Sequence, residues 1–350
     1  MTLRRTTRTS TPAARRANTP RTFRTAAPRT LFAAVAALGC LTAGLTAPAA
    51  AANPKAYESA GTASTHRPGQ IRSEGCGQQP PVPPGESTRQ TLSSGGHERS
   101  YLVHLPASYD PGEPQPVVLS FHGHGRTSEY QESLTDMSAL DALVVYPQGL
   151  TGTDGESAWQ GAPYSAEADD VAFTGELLDL LEAQFCVDTT REYAAGKSNG
   201  GGFAGLLGCR LSARLAAVAP VSGAFYPQGG PCEPERPVPV LDFHGQQDTT
   251  IPYTGDPAKG LPPLQDWLTG WASRENCDAA PETTAPWPRV SRQRWTGCAE
   301  GSEVVHYAVS DLGHDWPSTT PNEDSEVPTT FDATPLIWEF FQQHRLEPGA

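Results

Sequence analysis

Acidic residues and lysine are absent from the first 52 residues of this 350-residue chain, which carry eight arginines instead. The same segment lacks an apolar run of the roughly 20 residues that a bilayer span needs. Its one apolar stretch, Leu31 to Leu45, is shorter and contains Gly and Thr. The short run argues against a bilayer span and, after its basic lead, fits a cleavable export segment that ends at the A-x-A site Ala50, Ala51 and Ala52. Residues 1–52 are therefore expected to be a signal peptide, and the mature protein to be secreted, extracellular and without a membrane partner. The pairs Arg4/Arg5 and Arg15/Arg16 lack the apolar residues that twin-arginine export requires after them, so the export route stays open. No Leu stands three positions before Cys40, which argues against lipidation there.

No C-x-x-C pair and no H-E-x-x-H occur anywhere in the chain, which removes the usual frameworks for structural zinc and for a zinc hydrolase. Positive charge is scarce as well. Without residues 1–52 the formal charge moves from -14 to -22, because eight positive charges leave and no negative ones do. Such a surface repels nucleic acid, whose phosphates need a basic patch, and it repels anionic membranes. Six cysteines remain: Cys76, Cys186, Cys209, Cys232, Cys277 and Cys298. An even number in an exported chain predicts three disulfides. Cys277 and Cys298, close in sequence across a turn-rich segment, are the favoured pair, and the other pairings stay open.

Residues 53–95 are rich in Pro, Gly, Ser and Gln, show almost no apolar periodicity, and read as a flexible leader that Cys76 could pin to the body. Residues 96–350 then alternate short β-rich runs with longer helical ones, the signature of a mostly parallel sheet covered by helices. Strands are predicted at 101–105, 117–121, 143–146, 192–195, 216–221, 238–243 and 304–309, several of them continuously apolar as buried parallel strands should be. Helices are predicted at 169–185, 199–211, 263–273 and 334–344. In the first of these, Phe173, Leu177, Leu178, Leu181 and Phe185 share one face, and Asp169 or Asp170 would cap it. No internal repeats are present.

Gly196-Lys197-Ser198-Asn199-Gly200 fits G-x-S-x-G, with a β-rich stretch before it and a helical pattern after it. That context predicts a sharp turn presenting Ser198 as a nucleophile, with flanking glycines because backbone comes too close for a Cβ. A phosphate-binding loop would need Gly at position 191, where the chain has Arg191. An activated serine needs a base, and the base an acid, in the order Ser, Asp, His. Asp248 lies a few residues beyond the strand at 238–243, and His314 follows the strand at 304–309 in Asp311-Leu312-Gly313-His314-Asp315. Asp242 is inside a strand and is the poorer acid, while Asp315 reads as surface charge. Phe121-His122-Gly123-His124-Gly125 occupies the position of an oxyanion loop, so the N–H groups of His124 and Asn199 are the expected donors. A metal pair at His122 and His124 would leave the serine motif unexplained, and no metal is expected.

These residues, together with Trp159-Gln160-Gly161-Ala162-Pro163-Tyr164, Asp169-Asp170-Val171, Ser222-Gly223-Ala224-Phe225-Tyr226 and His244-Gly245, resemble the secreted feruloyl esterases. That family is related to extracellular polyhydroxybutyrate depolymerases and to some acetylxylan esterases, and the resemblance spans roughly residues 76–346. It implies an α/β-hydrolase fold with no cofactor. It also implies cleavage of esters joining ferulic or related hydroxycinnamic acids to plant cell-wall arabinoxylan. The Trp-Gln-Gly-Ala-Pro-Tyr and Ser-Gly-Ala-Phe-Tyr stretches favour the feruloyl esterases over the depolymerases. No carbohydrate-binding module is visible, so small aryl esters are expected beside feruloylated polysaccharide as substrates. Trp159, Tyr164 and Trp316 are candidates for lining an aryl pocket, because flat rings stack on a phenolic acid.

Overall fold

In the computed structural model, residues 71–347 are described. The expected signal peptide and the first part of the expected leader lie outside them. Twelve strands are present among the described residues: β1 (Ser87–Ser94), β2 (His97–His104), β3 (Gln115–Phe121), β4 (Leu143–Pro147), β5 (Leu150–Thr151), β6 (Ser157–Ala158), β7 (Val187–Lys197), β8 (Ala217–Val221), β9 (Val240–Gly245), β10 (Glu282–Trp287), β11 (Val290–Trp295) and β12 (Val304–Val309). Five α-helices accompany them: α1 (Ser128–Thr135), α2 (Asp170–Gln184), α3 (Asn199–Arg210), α4 (Leu264–Arg274) and α5 (Ala333–Gln343).

Ten strands form one sheet in the order β1-β2-β4-β3-β7-β8-β9-β12-β11-β10. The run from β4 to β12 is parallel, and an antiparallel pair closes each edge. Helices cover both faces, which is why the central strands are apolar on both sides. Alternate residues of β3 divide accordingly. Val117, Leu119 and Phe121 pack with Phe173 and Leu177 of α2, Phe203 and Leu207 of α3, and Leu268 and Trp271 of α4. Val118 faces the other way, into a cluster holding Leu134 of α1 and Ile337, Phe340 and Phe341 of α5. Asp169 caps α2, its carboxylate accepting the Ala172 N–H at 2.9 Å.

The described part of the expected leader is not flexible chain. Arg72 bridges to Asp188, Cys76 is bonded to Cys186, and β1 pairs with β2 in full register. The boundary expected at residue 95 is therefore corrected. Strand β1 is an exposed edge with half-buried positions only on alternate residues, so it carries no apolar face for the sequence to display. Strand β10, on the opposite edge, was hidden for the same reason, and its neighbour β11 because the residues between its buried ends Val290 and Trp295 are polar. Two further disulfides join Cys209 to Cys232 and Cys277 to Cys298.

Because β3, β7, β8, β9 and β12 run parallel, their carboxyl ends share one edge of the sheet. The loops that follow β3, β7, β9 and β12 carry His122 to Gly125, Ser198, Asp248 and His314.

Candidate active site

Ser198 stands between the last residue of β7 and the first of α3 with φ 57° and ψ -121°, a backbone conformation that side-chain-bearing residues rarely adopt. The turn holds because the surrounding glycines leave no room for anything larger. A Cβ on Gly196 would run into the Gly200 carbonyl oxygen, one on Gly200 into those of Phe121 and His122, and one on Gly202 into that of Ala224. The Ser198 N–H donates to Val221 O at 2.9 Å, and its carbonyl accepts from Gly202 and Ala224, each at 2.9 Å. Its side chain is left at the strand tip with Gly123 against it, at 3.3 Å from the position of a Cβ on that glycine.

Asp248 is 4 % exposed. Its Oδ1 accepts the N–H groups of Thr250 and Ile251, both at 2.8 Å, and its Oδ2 accepts from His314 Nδ1 at 2.7 Å. His244 Nε2 approaches the same Oδ2 at 3.4 Å while donating to Ile251 O at 2.8 Å. Burial alone would raise the Asp248 carboxyl, but the hydrogen bonds from His244 and His314 outweigh it and hold the group well below the usual carboxylate range. An ionised Asp248 fixes the His314 proton on Nδ1 and leaves Nε2 with its lone pair. The link from Nε2 to Ser198 Oγ is not a closed hydrogen bond in this structure; such contacts commonly tighten around substrate.

Asp242, the alternative acid, is engaged elsewhere: its Oδ2 pairs with His306 Nδ1 at 2.7 Å, both side chains being fully buried. His306 Nε2 in turn meets the Tyr253 hydroxyl at 2.9 Å.

Among the described residues, the backbone N–H groups of His124 and Asn199 donate to no protein acceptor, as oxyanion donors require. The loop before them is held from behind. His122 Nδ1 donates to Gly123 O at 2.7 Å, while Nε2 accepts from Gly149 N and Gln148 Nε2, each at 3.0 Å. Burial pushes its pKa down to about 4, so it is a neutral structural imidazole with both nitrogens occupied. The His124 ring lies outward, with Nε2 at 2.8 Å from Asp154 and its ring 4.3 Å from that of Tyr164.

Two expectations about substrate-lining rings are corrected. Trp159 is fully buried, stacked on Phe203 and edge-on to Phe121. Its Nε1–H donates to His122 O at 2.9 Å, and its backbone N–H and carbonyl are held by the Asn199 side chain at 2.7 and 3.3 Å. The indole therefore braces the loop from inside the core, and the Trp159 backbone holds the start of α3. Trp316 is 2 % exposed and packs in the core under α5. Tyr164 is half-buried and lies between His124 and Tyr226. Asp315 is not plain surface charge either: burial, followed by the nearby Asp324, raises its carboxyl.

Sequence reasoning missed Tyr226 as a partner of Tyr164, and it missed a cavity of about 590 Å³ that starts at Asn199 and Gly202. The cavity follows α3 past Leu206, with Phe225, Tyr226 and Trp267 opposite. Phe225 and Trp267 stack at 3.7 Å. The Ser222–Tyr226 stretch stood out in the sequence, but nothing local places it against Leu206 of α3 and Trp267 of α4, which are distant along the chain.

The chain matches the Esterase family model over residues 93–312. It is similar to feruloyl esterase B of Piromyces equi, with 30% identity over 62% of this chain and 42% of that protein. It is also similar to the bifunctional acetylxylan esterase/xylanase XynS20E of Neocallimastix patriciarum, with 27% identity over 71% of this chain and 34% of that protein. These matches span less than half of those two proteins. Feruloyl esterase D of Neurospora crassa is 27% identical, over 77% of this chain and 90% of that protein. Among solved structures, acetyl xylan esterase from Aspergillus awamori superposes with a TM-score of 0.55 at 14% identity, covering 73% of this chain and 99% of that one, a likeness of fold. With its mostly parallel sheet, its strained serine and these relatives, the chain belongs to the Esterase family and has the α/β-hydrolase fold.

Proposed function

We propose that this protein is a secreted feruloyl esterase that releases hydroxycinnamic acids from plant cell-wall arabinoxylan. In this reading Ser198 is the nucleophile, His314 the general base and Asp248 the carboxylate that orients it. The reading is carried by the 2.7 Å contact of His314 Nδ1 with Asp248 Oδ2, at the same sheet edge as the strained serine. His314 Nε2 takes the Ser198 proton as Oγ attacks the ester carbonyl. The carbonyl oxygen becomes an oxyanion, held by the His124 and Asn199 N–H groups, each worth on the order of 3 kcal/mol. The imidazolium then protonates the leaving alcohol as the C–O bond breaks, and the acyl group stays on Ser198. Water, deprotonated by His314, attacks the acyl carbon and releases the acid and the free serine. No cofactor enters the cycle.

The aryl preference is supported by the feruloyl esterases among the relatives and by the rings of His124, Tyr164 and Tyr226 grouped beside the oxyanion loop. Secretion is supported by the three disulfides, which persist in oxidising compartments. The test is hydrolysis of methyl ferulate beside p-nitrophenyl acetate and a polyhydroxybutyrate suspension, with wild type and Ser198→Ala. Ferulate release lost in the variant supports the whole reading. Acetate cleavage alone moves the substrate to acetylated xylan, polyester clearing favours a depolymerase, and a fully active Ser198→Ala protein sinks the mechanism.

A further inference from the structure

One buried ion pair joins the two loops that the proposed chemistry must keep in register. Lys197 is the last residue of β7, directly before Ser198, and its Nζ lies 2.6 Å from Asp324 Oδ2. The two side chains are 9% and 3% exposed. Asp324 comes from the irregular segment between the His314 loop and α5, and it grips that loop as well. Its Oδ2 accepts the N–H of Trp316, two residues beyond His314, at 3.1 Å, while its Oδ1 accepts the hydroxyl of Tyr130 on α1 at 2.7 Å. Asn322 completes the knot. Its Oδ1 accepts the N–H of Asp324 at 2.9 Å, and its Nδ2 donates to Trp316 O at 2.9 Å. Trp316 is thus held at both backbone polar groups by residues anchored to Lys197.

We propose that the Lys197–Asp324 pair is a positioning device that sets the distance between His314 Nε2 and Ser198 Oγ. The inference rests on the mechanism proposed above. Asp248 fixes the tautomer and inner edge of the imidazole, and Gln247 N donates to Leu312 O at 3.0 Å, but both contacts tie the His314 loop to the loop after β9 and neither reaches the serine turn. The Ser222 hydroxyl, just past the neighbouring strand β8, donates to Asp315 O at 3.3 Å, a long and neutral contact that does not come from the serine turn itself. The ion pair is the short, charged contact, and it is attached one residue before the nucleophile and, through Trp316 N, two residues after the base. Stability alone does not account for it, since a buried ion pair is often matched or bettered by apolar residues of similar volume. A shift of about 1 Å between reacting groups costs on the order of 100-fold in rate. Loss of the pair should therefore be read mainly in kcat.

The test compares wild type, Lys197→Met, Asp324→Asn, the double variant and Ser198→Ala, with methyl ferulate and p-nitrophenyl acetate as substrates. Melting temperature and the rate of covalent labelling by diisopropyl fluorophosphate are measured alongside. Either single variant strands a buried charge and should melt lower. The double variant removes both charges with little change of volume and should regain most of the melting temperature. The expected result is that kcat and the labelling rate stay down by about 10- to 100-fold in the double variant, with KM within about threefold of wild type. Recovery of kcat together with melting temperature would show a merely structural pair and overturn the proposal. So would single variants that keep wild-type kcat. Ser198→Ala separates the two readings: an active Ser198→Ala protein refutes the mechanism itself, whereas an inactive one beside fully active pair variants refutes only the positioning role.

Discussion

Replacing Asp248 by Asn tests the site at the atom on which the proposed mechanism turns. Oδ1 of residue 248 accepts two backbone N–H groups at 2.8 Å, a demand only an oxygen can meet, so an asparagine will keep its carbonyl there. Its amide NH2 then falls where Oδ2 now accepts from His314 at 2.7 Å. An NH2 cannot accept that proton, so His314 either breaks the contact or moves its proton to Nε2, the nitrogen that must be a base. The expected loss in kcat is about 10³- to 10⁴-fold, or about 4–5.5 kcal/mol of transition-state stabilisation, with KM little changed. Steady-state hydrolysis of methyl ferulate reads it. A variant retaining more than about a tenth of wild-type kcat would refute the tautomer argument. Stability gives an independent check with a defined sign. The Asp248 carboxyl is held below its ordinary value in the folded state, so it stabilises the fold above the unfolded pKa of about 3.9 and loses that contribution as the pH falls. Asp248→Asn should therefore melt lower than wild type at pH 7, and the gap should close below about pH 4.

Four further outcomes follow from the geometry. Gly202→Ala places a methyl group on the Ala224 carbonyl oxygen and should cost at least about 3 kcal/mol in denaturant unfolding, with activity falling alongside. Trp159→Phe keeps an aromatic ring but deletes the Nε1–H that holds His122 O at 2.9 Å, so kcat should drop about tenfold while KM changes less. Glu275 is 1 % exposed, and burial raises its carboxyl to about 7 despite the hydrogen bonds it accepts from Val238 N, Trp271 Nε1 and Ser302. A raised carboxyl favours folding below its unfolded pKa and loses that contribution as pH climbs through about 7, so Glu275→Gln should flatten the fall in melting temperature between about pH 5 and 8. Removing the Cys76–Cys186 bond by paired serine substitutions opens a sequence separation of 110 and should cost about 4–5 kcal/mol in chemical denaturation.

The parallel strands were legible because they are buried on both faces, and their apolar runs stand out from the flanking turns. Helices α2, α3, α4 and α5 were legible within a residue or two for a related reason: each presents an apolar face to the sheet. Helix α1 was not, since its buried positions include Ser128, Gln131 and Thr135, polar residues that bond inward, as Gln131 Nε2 does to Ser120 Oγ at 3.0 Å. The edge strands β1 and β10 escaped because exposed edges need no apolar pattern, and β11, next to the edge, because only its end residues Val290 and Trp295 are buried. Trp159 and Trp316 misled for the opposite reason. An aromatic ring beside a motif reads equally well as a substrate platform or as a brace, and only its surroundings distinguish the two.

By itself the sequence determined the mostly parallel α/β architecture, the glycine-framed serine turn and the order of serine, aspartate and histidine along the chain. Each is written in local periodicity, or in residue types that a backbone conformation demands. The tertiary structure alone decided that Asp242, the acid the sequence ranked second, is consumed by His306 inside the sheet, which leaves Asp248 to meet His314. It also decided that Trp159 supports the loop after β3 from within, and that Lys197 is neutralised by Asp324, a residue 127 positions further along the chain. Such pairings depend on which loops the sheet order brings to one edge, and strand order is set by the packing of whole faces, which no short stretch of sequence records.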